Sequence, residues 1–315
     1  MDWRDHMARE VRGEVQRDVP LAPRISVRVG GSAILFIRPV GIEDLITALR
    51  IAKESGQPIW VLGGGANTVV GDGGIPGVTL KLPAWPTLEK VIDLGDRVRA
   101  ELPAGAPSAR LVQLAREFGL LGVEWAAGIP GTIGGLTAMN AGTRSGEMKD
   151  NVTEILLCDG TGAEWCPASE VQFRYRHADL KSKVVAAVRC ELRKGDPAQV
   201  EKSVSAMETD RAYRRKSQPL QLPNSGSVFR NPPGDHAGRL IEAAGLKGLV
   251  EGGAQISEQH ANFIVNRGGA TARDVVTLMA KAQHAVQERF AIPLALEVRT
   301  VGVFVPSTDI LGLKV

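Results

Sequence analysis

Residues Gly128 to Gly142 read Gly-Ile-Pro-Gly-Thr-Ile-Gly-Gly-Leu-Thr-Ala-Met-Asn-Ala-Gly, the stretch with the smallest side chains in the sequence. Glycines bare backbone N–H groups and tolerate positive φ, and the Ala, Thr and Met continuation can turn into a short helix whose N-terminus faces an anion. That geometry suits a pyrophosphate. Glycine-rich runs also arise where two chain segments cross closely, so one such loop leaves both readings open. A second loop, Gly63-Gly64-Gly65-Ala66-Asn67-Thr68, follows directly on the apolar run Ile59 to Leu62. Two loops of this kind can grip one extended dinucleotide.

Neither loop fits the common nucleotide-binding patterns. A Rossmann fingerprint needs Gly-x-Gly-x-x-Gly opening a helix, whereas Gly63 to Gly65 leads into Val69-Val70 and Val78 to Leu82, which read as strands. A Walker loop needs Gly-Lys-Ser/Thr, which the chain lacks. A dinucleotide would therefore be held between loops of two subdomains. With 315 residues, 43% of them hydrophobic, the chain can bury a large core and split into two or three domains. The net charge of +3 comes from interspersed acids and bases with only 4% aromatic residues, which argues against nucleic acid as a partner.

Cys158, Cys166 and Cys190 are an odd number without Cys-x-x-Cys spacing, which argues against a disulfide framework or zinc site and for a reducing cytoplasm. His6, His177, His236, His260 and His284 show no metal-binding spacing, so no metal is expected. No apolar run approaches the roughly 20 residues that span a bilayer, so no membrane insertion is expected. Met1 to Asp18 is too charged for a signal peptide and reads as a polar helix or a disordered arm.

Along the chain, Ile25 to Pro39 alternates around Gly30-Gly31 and predicts two short strands joined by a tight turn. Helices are predicted over Glu43 to Ser55, stopped by Gly56 and Pro58, and over Ser108 to Phe118, with Gly119 at its end. Val152 to Cys158 and Ala163 to Cys166 read as strands flanking the hairpin signal Asp159-Gly160-Thr161-Gly162. Val184 to Leu192 is a further strand, followed by a charged helix from about Pro197 to Arg215 and a linker, Pro219 to Pro223. The last third predicts a helix from His236 to Ala244, strands near Ala254 to Ile256 and Ala261 to Val265, and a long helix from Thr271 to Phe290. Thr271 and Asp274 form its capping pair, and Val275, Leu278, Met279, Ala282 and Val286 its buried stripe. A final strand is predicted from Leu294 to Val305.

Eight segments in order carry a family resemblance: Arg28 to Gly31; Gly63 to Thr68; Gly128 to Gly142; Phe173 to Arg176; Asn224 to Pro232; Ala244 to Gly248; Ala261 to Asn266; and Glu297 to Arg299. Beyond about residue 20 the chain resembles the UDP-N-acetylenolpyruvoylglucosamine reductase family of peptidoglycan precursor synthesis. The resemblance implies an α+β protein with the PCMH-type, vanillyl-alcohol-oxidase-like FAD-binding fold: two α+β subdomains hold FAD, and an α+β domain binds substrate. The boundaries expected are an arm over 1–20, FAD-binding subdomains over 21–86 and 87–216, a substrate-binding domain over 217–292, and a C-terminal strand over 293–315 returning to the active site. A cytoplasmic monomer is implied, with non-covalent FAD and NADPH as co-substrate. It would reduce the enolpyruvyl ether of a nucleotide-sugar substrate to the lactyl ether of UDP-N-acetylmuramate. With Tyr175 and Tyr213 as its only tyrosines, the chain resembles the shorter branch, which lacks a Tyr-bearing insertion.

The resemblance also implies residue roles. For FAD it points to Gly63, Gly64, Gly65, Ala66, Asn67 and Thr68, to Gly128, Ile129, Pro130, Gly131, Thr132, Gly134, Gly135, Ala138 and Asn140, and to Arg214 and Arg299. Hydride delivered to the terminal carbon of an enolpyruvyl group pushes negative charge into the adjacent carboxylate, which a fixed guanidinium can hold; Arg176 matches the family's catalytic arginine. Ser227 matches the serine that protonates the second carbon, a role that needs its alkoxide supported by positive charge. Glu297 would polarise the enediolate, as an acid or through water, which requires a raised pKa. Tyr175, Lys216, Asn231 and Lys247 are the implied substrate contacts. Ala66 stands where many relatives have Ser, Leu136 where Ala is usual, and Ile25 where Thr is common. Two rival classes remain: another flavin oxidase or dehydrogenase of this fold, or a nucleotide-sugar binding protein without activity. No His or Cys in either loop offers covalent flavin attachment, and none of the three catalytic groups is missing.

Overall fold

The computed structural model describes residues 2–304. Its helices are α1 (Trp3–Glu10), α2 (Ile42–Glu54), α3 (Ala109–Phe118), α4 (Ile133–Ala138), α5 (Pro197–Ser217), α6 (Ala237–Ala243) and α7 (Ala272–Phe290). The chain divides into two units, one of Met1–Gln16, Phe36–Gly64 and Val78–Arg214, the other of Arg17–Leu35, Gly65–Gly77 and Arg215–Val315. The strands Glu14–Pro20, Ser32–Arg38, Ile75–Leu80 and Ile59–Val61 form a four-stranded sheet in that order.

The core of the first unit is a five-stranded antiparallel sheet, ordered Gly162–Pro167, Val152–Asp159, Val184–Arg193, Arg97–Pro103, Lys90–Asp93. The predicted hairpin closes with Asp159 opposite Gly162. The hydroxyl and amide of Thr161 both donate to Asp159, holding its carboxyl at about 2. Helix α4 packs on the central strand and α2 on Val152–Asp159. Small residues permit the α4 contact, since a Cβ on Gly134 would lie 2.8 Å from Ala104 Cβ.

The amino terminus is more ordered than its charge suggests. Asp2 caps α1, Met7 is fully buried, and Glu14–Pro20 is a strand rather than an arm. The tie is Asp44 at the start of α2, 2% exposed, whose carboxylate accepts the N–H groups of Arg12, Gly13 and Val40 at 2.7, 2.9 and 2.9 Å. A buried carboxylate must be satisfied in this way, and here the amino-terminal segment supplies two of the three donors.

In the second unit, Asn224–Ser227, Phe263–Asn266, Ala254–Ile256 and Val250–Glu251 form an antiparallel sheet in that order, covered by α7. The predicted capping box of Thr271 and Asp274 is present, and the predicted stripe is buried at 1% exposure or less. Asp72 adds a cap not foreseen, accepting from Ala272 and Arg273 at 2.9 and 3.0 Å.

Two strand expectations need correction. Within Ile25 to Pro39 only Ser32–Arg38 is a strand. Residues 25–31 instead find single partners: Ser26 N–H donates to Gly65 O, Gly31 N–H to Gly71 O, and Asn266 Nδ2 to Val27 O. Among the described residues from Leu294 onward, only Arg299–Val301 is a strand, parallel to Thr68–Val70. The chain changes partner there, with Leu296 bridging Phe229 before Arg299 N–H turns to Asn67 O, so no continuous ladder forms; Val305 lies outside the described residues.

Candidate active site

The two glycine loops abut in the first unit. A Cβ on Gly64 would lie 2.6 Å from Gly131 Cα, and one on Gly63 3.1 Å from Thr132 Oγ1. The Lys81 ammonium donates to Gly63 O. Residues 129–134 are laid along 104–108 by Ser108 Oγ to Ile129 O at 2.7 Å, Ser108 N–H to Gly131 O, Ile133 N–H to Ala106 O, and Gly134 N–H to Ala104 O. Thr132 caps α4 by accepting from Gly135 N–H. The short helix expected from Ala, Thr and Met thus begins earlier, at Ile133.

These bonds sort the expected flavin contacts. Gly134 and Gly135 direct their N–H groups into the fold. Among the described residues, the N–H groups of Gly63, Gly64, Gly131 and Thr132 have no intramolecular acceptor. Four unpaired donors on two loops that meet at Gly64, where no Cβ fits, form a cradle that fits the diphosphate of a dinucleotide such as FAD.

Arg176 belongs to the same unit. Phe173–Arg174 pairs with His177–Ala178, leaving Tyr175 and Arg176 as a two-residue turn in which Arg176 takes φ +56°. That left-handed backbone costs a branched-chain-free L residue roughly 1–2 kcal/mol, so the surroundings must hold it. They do so through Asn140, fully buried, which donates from Nδ2 to Arg174 O at 3.1 Å and accepts Lys149 N–H at 3.0 Å. The Arg176 guanidinium donates to Gly142 O at 2.9 Å and lies 4.9 Å from the centre of the Tyr175 ring. Asn140, expected on FAD, has its carboxamide engaged in fixing the arginine turn. Arg214 lies beside Gly128, 3.8 Å from where a Cβ would be. Burial, aided by the like charge of Arg176 and opposed by Asp210, pushes its guanidinium below the usual value. Two mutually repelling guanidiniums favour an anion between or beside them.

In the second unit Ser227 and Glu297 come from adjacent segments: Glu297 N–H donates to Val228 O at 2.8 Å. Asn67 donates from Nδ2 to Glu297 O at 3.0 Å and accepts Arg299 N–H at 3.1 Å, which lines Thr68 up with Arg299. Gly65 takes φ +68°, and a Cβ there would meet Ile25 Cα at 2.8 Å. Buried Asn262 locks the chain after Ser227, accepting Phe229 N–H at 3.0 Å and donating to Phe229 O at 2.8 Å.

The expected substrate contacts are exposed, and two have structural duties. Asn231 Oδ1 accepts Ala237 N–H at the start of α6, and Lys247 pairs with Glu242 at 2.8 Å. Tyr175 is 50% exposed, and Lys216 lies in the last turn of α5, its carbonyl accepting from Gln259. Sequence reasoning missed Lys81 and gave no role to Asn224 or Asn262; an asparagine next to a glycine or at a strand start was the available signal. The buried thiols of Cys158 and Cys190 are pushed up to about 12, which removes them as nucleophiles. Among the described residues no helix is long and apolar enough to cross a membrane.

Comparison with known proteins gives a consistent match along the chain. Residues 33–165 match a family described as FAD binding domain, and residues 218–301 one described as UDP-N-acetylenolpyruvoylglucosamine reductase, C-terminal domain. The chain is 50% identical to the UDP-N-acetylenolpyruvoylglucosamine reductase of Anaeromyxobacter sp. (strain Fw109-5), over 99% of this chain and 96% of that one. Its counterpart from Myxococcus xanthus (strain DK1622) is 48% identical, over 92% and 93%. The crystal structure of the reductase MurB from Thermus caldophilus superposes with a TM-score of 0.77 at 35% identity, covering 92% of this chain and 99% of that one. The PCMH-type α+β FAD-binding fold read from the sequence is borne out by the domain match and this structure.

Proposed function

Because the chain belongs to the UDP-N-acetylenolpyruvoylglucosamine reductase family, we propose in detail that it takes hydride from NADPH and uses it to reduce the enolpyruvyl ether of its nucleotide sugar to UDP-N-acetylmuramate. FAD, when bound, supplies the carrier that accepts hydride from one substrate and gives it to the other. The amides of Gly63, Gly64, Gly131 and Thr132 would hold its diphosphate, and Gly65 to Thr68, Gly128 to Pro130, Arg214 and Arg299 would be further flavin contacts. Asn140 contributes indirectly, through the arginine turn.

The chain's own residues then handle charge and protons. Arg176, fixed by Gly142 O and Asn140, holds the substrate carboxylate as negative charge enters it. Ser227 Oγ gives its proton to the carbon bearing the carboxylate, and Glu297 stabilises the enediolate. The observation that supports pairing the serine with the acid is the bond from Glu297 N–H to Val228 O, 2.8 Å, which joins the acid's segment to the residue after the serine. Tyr175, Lys216, Asn231 and Lys247 contact the nucleotide sugar, bound by residues 217–292. The reaction serves peptidoglycan precursor synthesis, and hence cell-wall growth and division, in a cytoplasmic monomer.

Stopped-flow absorbance of the purified yellow protein tests the proposal. NADPH bleaches the flavin, and the enolpyruvyl substrate restores its colour; bleaching without substrate-dependent recovery would leave a flavin enzyme with another substrate. Ser227→Ala should bleach at the parental rate and recover slowly, whereas equal loss in both half-reactions removes the serine from proton donation.

A further inference from the structure

The strand carrying Ser227 is irregular at the residue that matters. Asn224 pairs opposite Val265 and Ser227 opposite Phe263, so three steps on one strand face two on the other. Gly226 absorbs the extra residue with φ +76°. In such a bulge the direction of the following side chain depends on how firmly the bulge is held.

What holds it is one carboxamide. Asn224 Oδ1 accepts Gly226 N–H at 2.9 Å, while its Nδ2 donates to Leu222 O at 2.8 Å and to Pro219 O at 3.1 Å. The bulge is thereby tied to the linker at Pro219 to Pro223. The intervening Ser225 lends no support: it is 1% exposed, and among the described residues its hydroxyl has no hydrogen-bond partner. Beyond Ser227 the chain is fixed separately, by Asn262 on Phe229 and by Val228 N–H to Asn262 O at 2.9 Å. Ser227 therefore lies between two asparagine clamps, and the one before it controls the bulge.

We propose that Asn224 is the positioning residue for the Ser227 hydroxyl: its carboxamide fixes the bulge so that Oγ–H is aimed at the carbon to be protonated. This rests on Ser227 as the proton donor. Asn224 touches neither substrate in this role. Misplacing a reacting group by about 1 Å costs on the order of a hundredfold, and that loss should fall on one half-reaction alone.

The test compares Asn224→Ala, Ser227→Ala and the double variant in stopped flow, with hydrogen exchange of the free protein. Asn224→Ala should bleach with NADPH within about twofold of the parent and recover with substrate roughly a hundredfold more slowly. In the double variant it should add nothing to Ser227→Ala, because a misaimed hydroxyl and an absent one are equivalent. Peptides covering the Gly226 amide should exchange faster, with the rest of the chain unchanged. Asn224→Asp, which keeps the acceptor for Gly226 N–H, should recover part of the rate and guards against a folding failure of the alanine variant. Slowing of both half-reactions, or full additivity with Ser227→Ala, overturns the inference. If Ser227→Ala is slow and Asn224→Ala is not, only the positioning role fails; if Ser227→Ala recovers normally, the donor assignment fails and takes this role with it.

Discussion

The glycine loops of the first unit and the serine turn of the second both hold backbone in unusual paths, by opposite means. At Gly64 and Gly131 the chain segments approach because side chains are missing, and the N–H groups left over are the ones proposed to hold a diphosphate. Around Ser227 the path is held by added side chains, the carboxamides of Asn224, Asn262 and Asn67, each satisfying backbone that no ladder reaches. Subtraction gives a crossing at Gly64 that leaves no room for a Cβ. Addition gives a turn whose members can be removed one at a time, so its functions can be separated by mutation.

The sharpest way to break that contrast is Gly64→Ala. Its Cβ would fall 2.6 Å from Gly131 Cα, a backbone atom that cannot swing aside. Bound flavin, read from the visible absorbance after gel filtration, should fall by about tenfold or more, the equivalent of roughly 1.4 kcal/mol; a variant as yellow as the parent would show that the loops need not abut. Its counterpart in the second unit is Asn262→Ala, which leaves both backbone groups of Phe229 without partners inside the protein. Urea unfolding should show a loss of about 2–4 kcal/mol, and a change under 1 kcal/mol would mean that water replaces the carboxamide.

The smallest effect concerns pH in the second unit. His260 accepts Asn262 N–H at Nδ1 and packs edge-on against Phe263. Burial, helped by the Lys247 ammonium and opposed by Glu242, holds its pKa below the ordinary 6.5. The unfolded chain then binds a proton more readily than the folded one, so the contribution is complete above the unfolded value and lost as pH falls through the folded one. Thermal unfolding between about pH 7.5 and 5.5 should show stability declining in the parent and a flatter profile in His260→Gln; equal slopes would remove His260 as the cause.

Legibility followed the same contrast. The capping box at Thr271 and Asp274, the buried stripe of α7 and the Asp159 hairpin were readable because each is set by neighbours within a few positions. Ile25 to Gly31 was misread as a strand because alternation resembles pairing, yet its donors and its carbonyl at Val27 find partners in distant loops. The ordering of the amino-terminal segment was missed because its partners are distant in sequence: Asp44 holds Arg12 and Gly13, and Glu14–Pro20 lies beside the strand Ser32–Arg38. The part Asn140 plays in the arginine turn was not legible because its partners, Arg174 O and Lys149 N–H, meet it only in the folded chain.

The amino-acid sequence by itself determined where the chain bends, where helices begin and which segments must be free of side chains, because glycine conformations, caps and apolar periods act over a few residues. It also carried the family, through the order of its motifs. Tertiary structure alone decided which N–H groups stay unpaired, which asparagines hold the Arg176 and Ser227 turns, and that the segment of Glu297 runs beside Ser227. The physical reason is that a backbone donor or acceptor removed from water must find a partner, and which partner is near depends on how the whole chain packs.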